Sequence, residues 1–196
     1  MRNTLSALAC AAALCLGSPA QAAVVTFDAP GVIDIDPNTG AAVYAESGFT
    51  VSGDAASFLP LDGVGRAGSG GLFVGANSII KLMAASGGAF SLTALDFGLF
   101  DLFDATPSPS LLIQGLLTDN SSLSQTLALG ALANFGFSNW MNLKEVSFSA
   151  NTDFVLDNIS AVPEPGTFAL AAVALLGLGL GRRRLAGLAA NRAVMA

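Results

Sequence analysis

The chain has 196 residues, a formal net charge of −6 and no histidine, which excludes histidine-based catalytic triads. Residues 23–161 contain three basic and thirteen acidic side chains. A net charge of −10 there repels phosphate backbones and excludes nucleic-acid binding, while neutral glycans and metal cations stay compatible. Both cysteines, Cys10 and Cys15, precede this segment, so it has no disulfide and no zinc site of the ordinary kind.

The N-terminus has the pattern of a secretory signal peptide. Arg2 supplies the positive charge, residues 5–16 are an apolar helix-forming run, and a Gly-Ser-Pro break follows. Signal peptidase accepts small residues at the third and first positions before the cut, here Ala20 and Ala22. The pattern therefore predicts cleavage after Ala22, which assigns residues 1–22 to the signal peptide. The alternative is a short buried helix of a cytosolic domain.

Residues 23–161 are predicted to form one all-β domain. Their apolar residues occur in short runs separated by Gly, Pro, Asn and Asp, and Val146 and Phe148 alternate with polar neighbours as in a half-buried strand. Many short strands at even spacing are typical of a β-sandwich or jelly roll. Residues 87–103 are ambiguous, because their Leu and Phe side chains also fit a helical turn. The predicted strands are residues 24–28, 48–52, 72–74, 78–83, 89–95, 110–117, 125–129, 143–149 and 153–159.

Two loops come close to known binding motifs. Residues 34–40 have oxygen ligands spaced as in the first half of an EF-hand calcium loop. Gly40 and Glu46, however, each lie one position later than the glycine and the glutamate of that loop. The sequence favours the alternative, a β-hairpin built on the Asp-Pro-Asn-Thr-Gly turn. The Gly-rich residues 63–71 resemble a phosphate-binding loop but lack the Lys-Ser/Thr pair that grips a phosphate, so a flexible loop is predicted.

Two sets of side chains are candidates for acting on a sugar or binding one. Asp101 and Asp104 form a carboxylate pair of the kind that a glycosidase needs, although acids on loops of an acidic protein are usually only solvated. Trp140 lies in a polar loop, where an exposed ring can stack on a glycan. The alternative for Trp140 is a buried aromatic plug. The one other Trp or Tyr side chain is Tyr44.

The C-terminal region combines a proline-rich hinge, an apolar run and a basic cluster. Each proline fixes its own φ and keeps the preceding residue out of the helical region, which predicts a stiff, extended and accessible hinge. The apolar residues 168–181 can enter a bilayer as a short helix, and the arginines after them stay on the cytoplasmic side. The residues of the hinge and of the cluster are Val162, Pro163, Glu164, Pro165, Arg182, Arg183 and Arg184.

This order of elements resembles the PEP-CTERM sorting signal of exported bacterial proteins. The resemblance implies that exosortase, a membrane-embedded transpeptidase, cleaves near the Pro-Glu-Pro motif after the precursor has been held transiently in the inner membrane. It also implies release or attachment at the cell surface or in the extracellular matrix, and an association with exopolysaccharide. The alternative is a permanent membrane anchor, but a run of about 14 residues covers only 21 Å of a 30 Å hydrocarbon core. Residues 185–196 would then be a cytoplasmic tail.

The domain itself resembles the β-sandwich domains found in front of PEP-CTERM tails, through residues 90–96, 146–148 and 154–159. Its closing F-x-L-D-N-I segment is similar to the last strand of carbohydrate-binding jelly rolls, in which the aspartate helps to hold a structural calcium. The resemblance implies Asp157 as a calcium ligand, with Asp28 as a partner because first and last strands often pair. The alternative is that Asp157 hydrogen-bonds a neighbouring loop.

The sequence therefore predicts a β-sandwich or jelly-roll-like ectodomain between a signal peptide and a short C-terminal transmembrane helix. The regions are the signal peptide at 1–22, the domain at 23–161, the sorting signal at 162–184 and the tail at 185–196. The favoured function is a non-enzymatic, exosortase-processed surface or matrix protein whose partners are signal peptidase, exosortase and exopolysaccharide. The alternative is a carbohydrate-binding module, with calcium as its one cofactor. The third hypothesis is a glycan hydrolase.

Overall fold

A computed structural model describes residues 21–28, 33–101 and 107–164. The regular elements in these ranges are β-strands and two short 3₁₀ turns, at Ala55–Ser57 and Arg66–Gly68. The same ranges hold no helix of the length and apolarity that a membrane crossing requires. The predicted transmembrane residues 168–181 and the three arginines after them lie outside the described residues.

The strands have the following bounds. They are β1 (Ala23–Val25), β2 (Asp34–Ile35), β3 (Ala41–Glu46), β4 (Phe49–Asp54), β5 (Phe58–Leu61), β6 (Gly71–Val74), β7 (Ile79–Ala84), β8 (Phe90–Leu99), β9 (Ser110–Leu117), β10 (Ser122–Ala128), β11 (Ala133–Gly136), β12 (Leu143–Ala150) and β13 (Phe154–Pro163).

The strands pair into one curled sheet whose two halves enclose the core. Its main path is β2-β3-β4-β7-β12-β8-β13-β6-β5, with β9 and β10 beside β12, β11 beside β8, and β1 beside β13. The halves meet between β12 and β8 at a single pair, Leu143 and Phe90. The rings of Phe49 in one half and Phe90 in the other pack edge to face, 5.4 Å apart. The fold is thus the predicted β-sandwich-like, all-β domain.

The strand predictions differ from the structure mainly at short strands. Each predicted strand overlaps an observed one, and β9 has the predicted bounds. Residues 90–99 form one strand, so the helical turn considered there is wrong. The strands β2, β3, β5 and β11 were not predicted. β5 shows why: it has four residues, includes Pro60 and lies at the sheet edge, where a missing N–H is tolerated.

The first and last strands pair, as predicted. Ala23 lies opposite Ala161 and Val25 opposite Ile159 in an antiparallel register. Strand β1 begins directly after Ala22, so cleavage there, which stays a prediction, would leave this pairing complete. The alanine at position 20 lies outside the described residues.

Trp140 is buried. Its side chain is 6% exposed, its ring lies 5.0 Å from that of Phe137, and it covers Gly115, where an added Cβ would approach ring carbon Cζ3 to 3.1 Å. Tyr44 is fully buried and its hydroxyl donates to Glu46. This placement corrects the expectation of an exposed sugar platform at Trp140 and matches the alternative of a buried aromatic plug.

The EF-hand-like segment is the turn of a β-hairpin. Strands β2 and β3 pair on either side of it, and Gly40 adopts the left-handed φ of +70° that the turn requires. The Asp36 carboxylate accepts hydrogen bonds from the Asn38 N–H and the Thr39 hydroxyl, each at 2.8 Å, and these bonds lower the pKa of Asp36. The hairpin interpretation is therefore confirmed.

Candidate functional site

The Glu164 side chain of the Pro-Glu-Pro segment is bound by the domain. One of its carboxylate oxygens, Oε1, accepts hydrogen bonds from the Ser91 hydroxyl at 2.9 Å and from the Asn142 backbone N–H at 2.7 Å. The Glu164 N–H donates to the carbonyl oxygen of Ala89 at 2.9 Å. The glutamate is thus held through both its side chain and its backbone by two separate parts of the fold.

The two residues before Glu164 belong to strand β13. Val162 lies opposite Ser91 and Pro163 opposite Phe90 in the register with β8, and both are half-buried. Because a proline has no N–H to give to a ladder, it fits at the end of a strand rather than in the middle. The predicted extended conformation is confirmed for residues 162 and 163, and their pairing with β8 leaves them partly accessible. Pro165 lies outside the described residues.

The loop that supplies the Asn142 N–H is itself tied to β8. The Phe137 N–H donates to the Thr93 carbonyl at 2.8 Å, and the Trp140 carbonyl accepts from the Leu92 N–H at 2.9 Å. Asn142 has a left-handed φ of +58°, a conformation that asparagine adopts more readily than most residues. The buried Trp140 ring and these backbone bonds together fix the position of the N–H that binds Glu164.

Asp157 and Asp28 hold one surface loop between them. Asp157 Oδ2 accepts from the Arg66 N–H at 2.8 Å and from the Ser69 hydroxyl at 3.1 Å. Asp28 Oδ1 accepts from the Gly70 N–H at 2.6 Å. The Gly-rich loop predicted to be flexible is thus tied at Arg66, Ser69 and Gly70. This geometry matches the alternative in which Asp157 hydrogen-bonds a neighbouring loop.

A third carboxylate, Asp96, completes this cluster and was not anticipated from the sequence. Asp96 lies directly opposite Asp157 in the β8–β13 register and is 1% exposed. Its oxygens accept from Asn134 Nδ2 at 2.7 Å and Asn158 Nδ2 at 2.9 Å, and the Arg66 guanidinium lies at 3.3 Å. Burial raises the pKa of Asp157, and the neighbouring Asp96 charge acts in the same direction. The sequence signal for Asp96 is an aspartate between the apolar residues Leu95 and Phe97 in the second half of β8.

The described ranges, 21–28, 33–101 and 107–164, contain no group of three or more Asp, Glu, His or Cys side chains placed to hold a metal ion. Both oxygens of Asp157 accept hydrogen bonds from protein donors, which a calcium ion would have to displace. The donor set fits a carboxylate that holds a loop, and calcium at Asp157 and Asp28 stays a prediction. Of the other carboxylate pair, Asp104 lies outside the described residues.

One face of the sheet presents rows of mostly polar side chains across six strands. One row runs through cross-strand neighbours of β3, β4, β7, β12, β9 and β10, namely Val43, Ser52, Lys81, Ser147, Gln114 and Ser124. The adjacent row contains Ile79, Ser149, Leu112 and Thr126. Two shallow depressions flank Ile79, which is 59% exposed. We call this surface the hydroxyl face.

Comparison with known proteins identifies the C-terminal segment. Residues 161–184 match the PEP-CTERM protein-sorting motif, which confirms the identification made from the sequence. The motif implies an exported protein that exosortase processes. No curated protein matches the chain.

Solved structures resemble the chain only distantly. The CBM22-1–GH10 modules of Clostridium thermocellum xylanase 10B, complexed with xylohexaose, are 12% identical with a TM-score of 0.42, and the match covers 74% of this chain but 28% of that one. The CBM22-1 xylan-binding domain of Paenibacillus barcinonensis Xyn10C is 7% identical over 73% of this chain and 92% of that one, with a TM-score of 0.41. TmCBM61, in complex with β-1,4-galactotriose, is 11% identical over 60% and 90%, with a TM-score of 0.38. These resemblances assign no function to this chain.

Proposed function

We propose that this chain is a non-enzymatic protein of the cell surface or extracellular matrix, associated with exopolysaccharide. In this proposal residues 1–22 are removed by signal peptidase, residues 23–161 are the ectodomain, and residues 185–196 are the cytoplasmic tail of the precursor. The observation that carries it is the sorting motif at residues 161–184, which begins inside the last strand of the domain. The ectodomain is thus the part that sorting would deliver outside the cell.

The use of the acidic side chains supports a structural role. Glu46 accepts from the Thr26 N–H at 2.9 Å, the Phe27 N–H at 3.1 Å and the Tyr44 hydroxyl at 3.1 Å. Together with the cluster around Asp157, these contacts tie loops and strands to the sheet. A carboxylate that accepts several hydrogen bonds from the fold is held in one position, which is what a structural role requires.

The proposal is tested by mass spectrometry of the protein from its native host, with and without exosortase. We expect mature termini at Ala23 and near Pro163 in normal cells, and a membrane-held precursor that keeps its C-terminus at Ala196 in cells without exosortase. Replacing Arg182, Arg183 and Arg184 together by glutamine should also cause the precursor to accumulate, because the positive charges orient the segment.

Arg192→Gln is the matched control, because it removes a positive charge outside the cluster and should leave processing unchanged. If the mature protein has identical termini in cells with and without exosortase, the proposed function is overturned. If the precursor persists intact in normal cells, the C-terminal segment is a permanent anchor.

Carbohydrate binding is the second candidate function, and the hydroxyl face is the observation that favours it. Hydroxyl and amide side chains such as Ser52, Ser147 and Gln114 can exchange hydrogen bonds with sugar hydroxyls. Ile79 supplies an exposed apolar surface between them. The Lys81–Glu145 ion pair at 3.1 Å neutralises charge in the middle of the face, so a neutral polysaccharide chain is the ligand that we propose for it. A structural calcium at Asp157 and Asp28 would belong to this reading.

An exposed aspartate on the hydroxyl face should weaken such binding. We expect Ile79→Asp to reduce the affinity for an immobilised neutral polysaccharide by about tenfold or more, because binding would have to desolvate the new charge. Leu59→Asp is the matched control, since Leu59 is 48% exposed on strand β5 in the other half of the sheet. Equal binding by both variants, or no binding by the unaltered protein across a polysaccharide panel, would rule out this face as the site.

A further inference from the structure

The domain contains a binding site for the glutamate of its own sorting motif. The site consists of the Ser91 hydroxyl on β8 and the Asn142 N–H on the loop before β12, which share Glu164 Oε1 as acceptor. Hydrogen bonds to an ionised carboxylate are stronger than those between neutral groups. The Asn142 N–H points at Glu164 because its loop is fixed to β8, and so the site does not depend on flexible side chains alone.

This docking occupies groups that a processing enzyme would have to reach. One edge of residues 162 and 163 faces β8 in the sheet register, and the Glu164 N–H is used by the Ala89 carbonyl. A protease or transpeptidase that binds an extended segment takes up its backbone and side-chain groups in a cleft. A segment paired along one edge with its own sheet cannot be enclosed by such a cleft on both of its edges.

We propose that folding of the domain docks the sorting motif, and that residues 162–164 must detach from β8 before exosortase can process the protein. This inference rests on the proposed function, since it concerns the same reaction. Ser91 and Asn142 are positioning residues, because they bind Glu164 of the motif. They thereby determine the fraction of precursor molecules in which residues 162–164 are detached from β8. The rate of processing then follows the fraction of precursor in which the segment is detached.

Removing one of the docking hydrogen bonds should speed processing. We expect Ser91→Ala to raise the rate of precursor conversion in pulse-chase labelling of whole cells about three- to tenfold, because the detached fraction rises when a charge-assisted bond is lost. Thr93→Val is the matched control. Thr93 lies on the same strand, and its hydroxyl donates to the Ser160 carbonyl at 3.0 Å, so the variant loses a bond to β13 that does not involve the motif.

A covalent lock should have the opposite effect. Ser91 and Val162 are cross-strand neighbours, at a spacing suitable for a disulfide, and the domain has no cysteine of its own. The pair Ser91→Cys and Val162→Cys should stop conversion until a reductant is added. The pair Ala94→Cys and Ser160→Cys, which joins the same strands before the motif, should leave conversion unchanged. Recovery on reduction shows that the substitutions themselves are tolerated.

Hydrogen exchange of the full-length precursor reports docking independently of processing. The Glu164 amide should exchange faster in Ser91→Ala than in the unaltered protein or in Thr93→Val. Conversion of Ser91→Ala at or below the normal rate, or normal conversion of the oxidised lock, would overturn the inference while leaving exosortase dependence intact. If cells without exosortase convert the unaltered precursor, it is the proposed function that fails.

Discussion

Replacement of Trp140 by alanine should lower the free energy of unfolding of the domain by about 3–5 kcal/mol, the range for a large aromatic side chain removed from a core. The ring packs against Phe137 and fills the space above Gly115. The surrounding strands β9 and β12 are held in register by their ladder, so they cannot close the cavity. Urea denaturation followed by circular dichroism measures the change.

Met141→Ala is the control for Trp140→Ala. Met141 follows Trp140 in the same loop but is 52% exposed, and its removal should change stability by less than about 0.5 kcal/mol. Because Trp140 anchors the loop that positions the Asn142 N–H, its removal should also free Glu164 and speed exchange of that amide. A Trp140→Ala variant of normal stability that has lost sugar binding would restore the interpretation of Trp140 as a glycan contact.

Gly65→Ala should be comparably destabilising, for a steric reason. A Cβ at position 65 would overlap the Gly70 carbonyl oxygen and lie 2.7 Å from Asp157 Oδ2. The Gly70 oxygen is backbone and cannot rotate away, so the loop must open. Opening takes the Arg66 and Ser69 donors away from the buried Asp157 carboxylate. Overpacking and unsatisfied buried polar groups together predict a loss of about 3 kcal/mol or more.

Gly130→Ala provides the comparison for Gly65→Ala. An added Cβ at Gly130 would meet nothing within 4 Å, so its stability should stay within about 0.5 kcal/mol of the unaltered domain. If the free energy of unfolding falls with urea concentration at the same slope in both variants, their urea midpoints give the difference in stability. If Gly65→Ala is as stable as Gly130→Ala, the Gly-rich loop is not held in the way that the hydrogen bonds to Asp157 and Asp28 indicate.

Asp157 has a different set of neighbours from the one that its sequence context predicts. The closing F-x-L-D-N-I segment predicts a metal ligand at this position. In the structure its nearest groups are donors from the chain itself, including the Asn158 N–H at 2.6 Å. The carboxylate at position 157 therefore holds the loop that carries Arg66 and Ser69.

Features that depend only on neighbouring residues could be predicted from the sequence. The sorting motif is a contiguous run at residues 161–184, the hairpin around Gly40 follows from local turn chemistry, and the all-β class follows from the alternation of apolar and polar residues. Each of these signals is complete within a short window, so no knowledge of distant partners was needed.

Contacts between residues that are far apart in the chain required the folded structure. Ser91 and Glu164 are 73 residues apart in the chain, and Arg66 and Asp157 are 91 apart. The first contact exists because β13 pairs with β8, and the second because β13 also pairs with β6, whose preceding loop carries Arg66. These registers are set by the shared core and not by the polar residues. The docking of Glu164 and the position of Asp96 opposite Asp157 follow from the β8–β13 pairing, and a linear pattern carries no record of it.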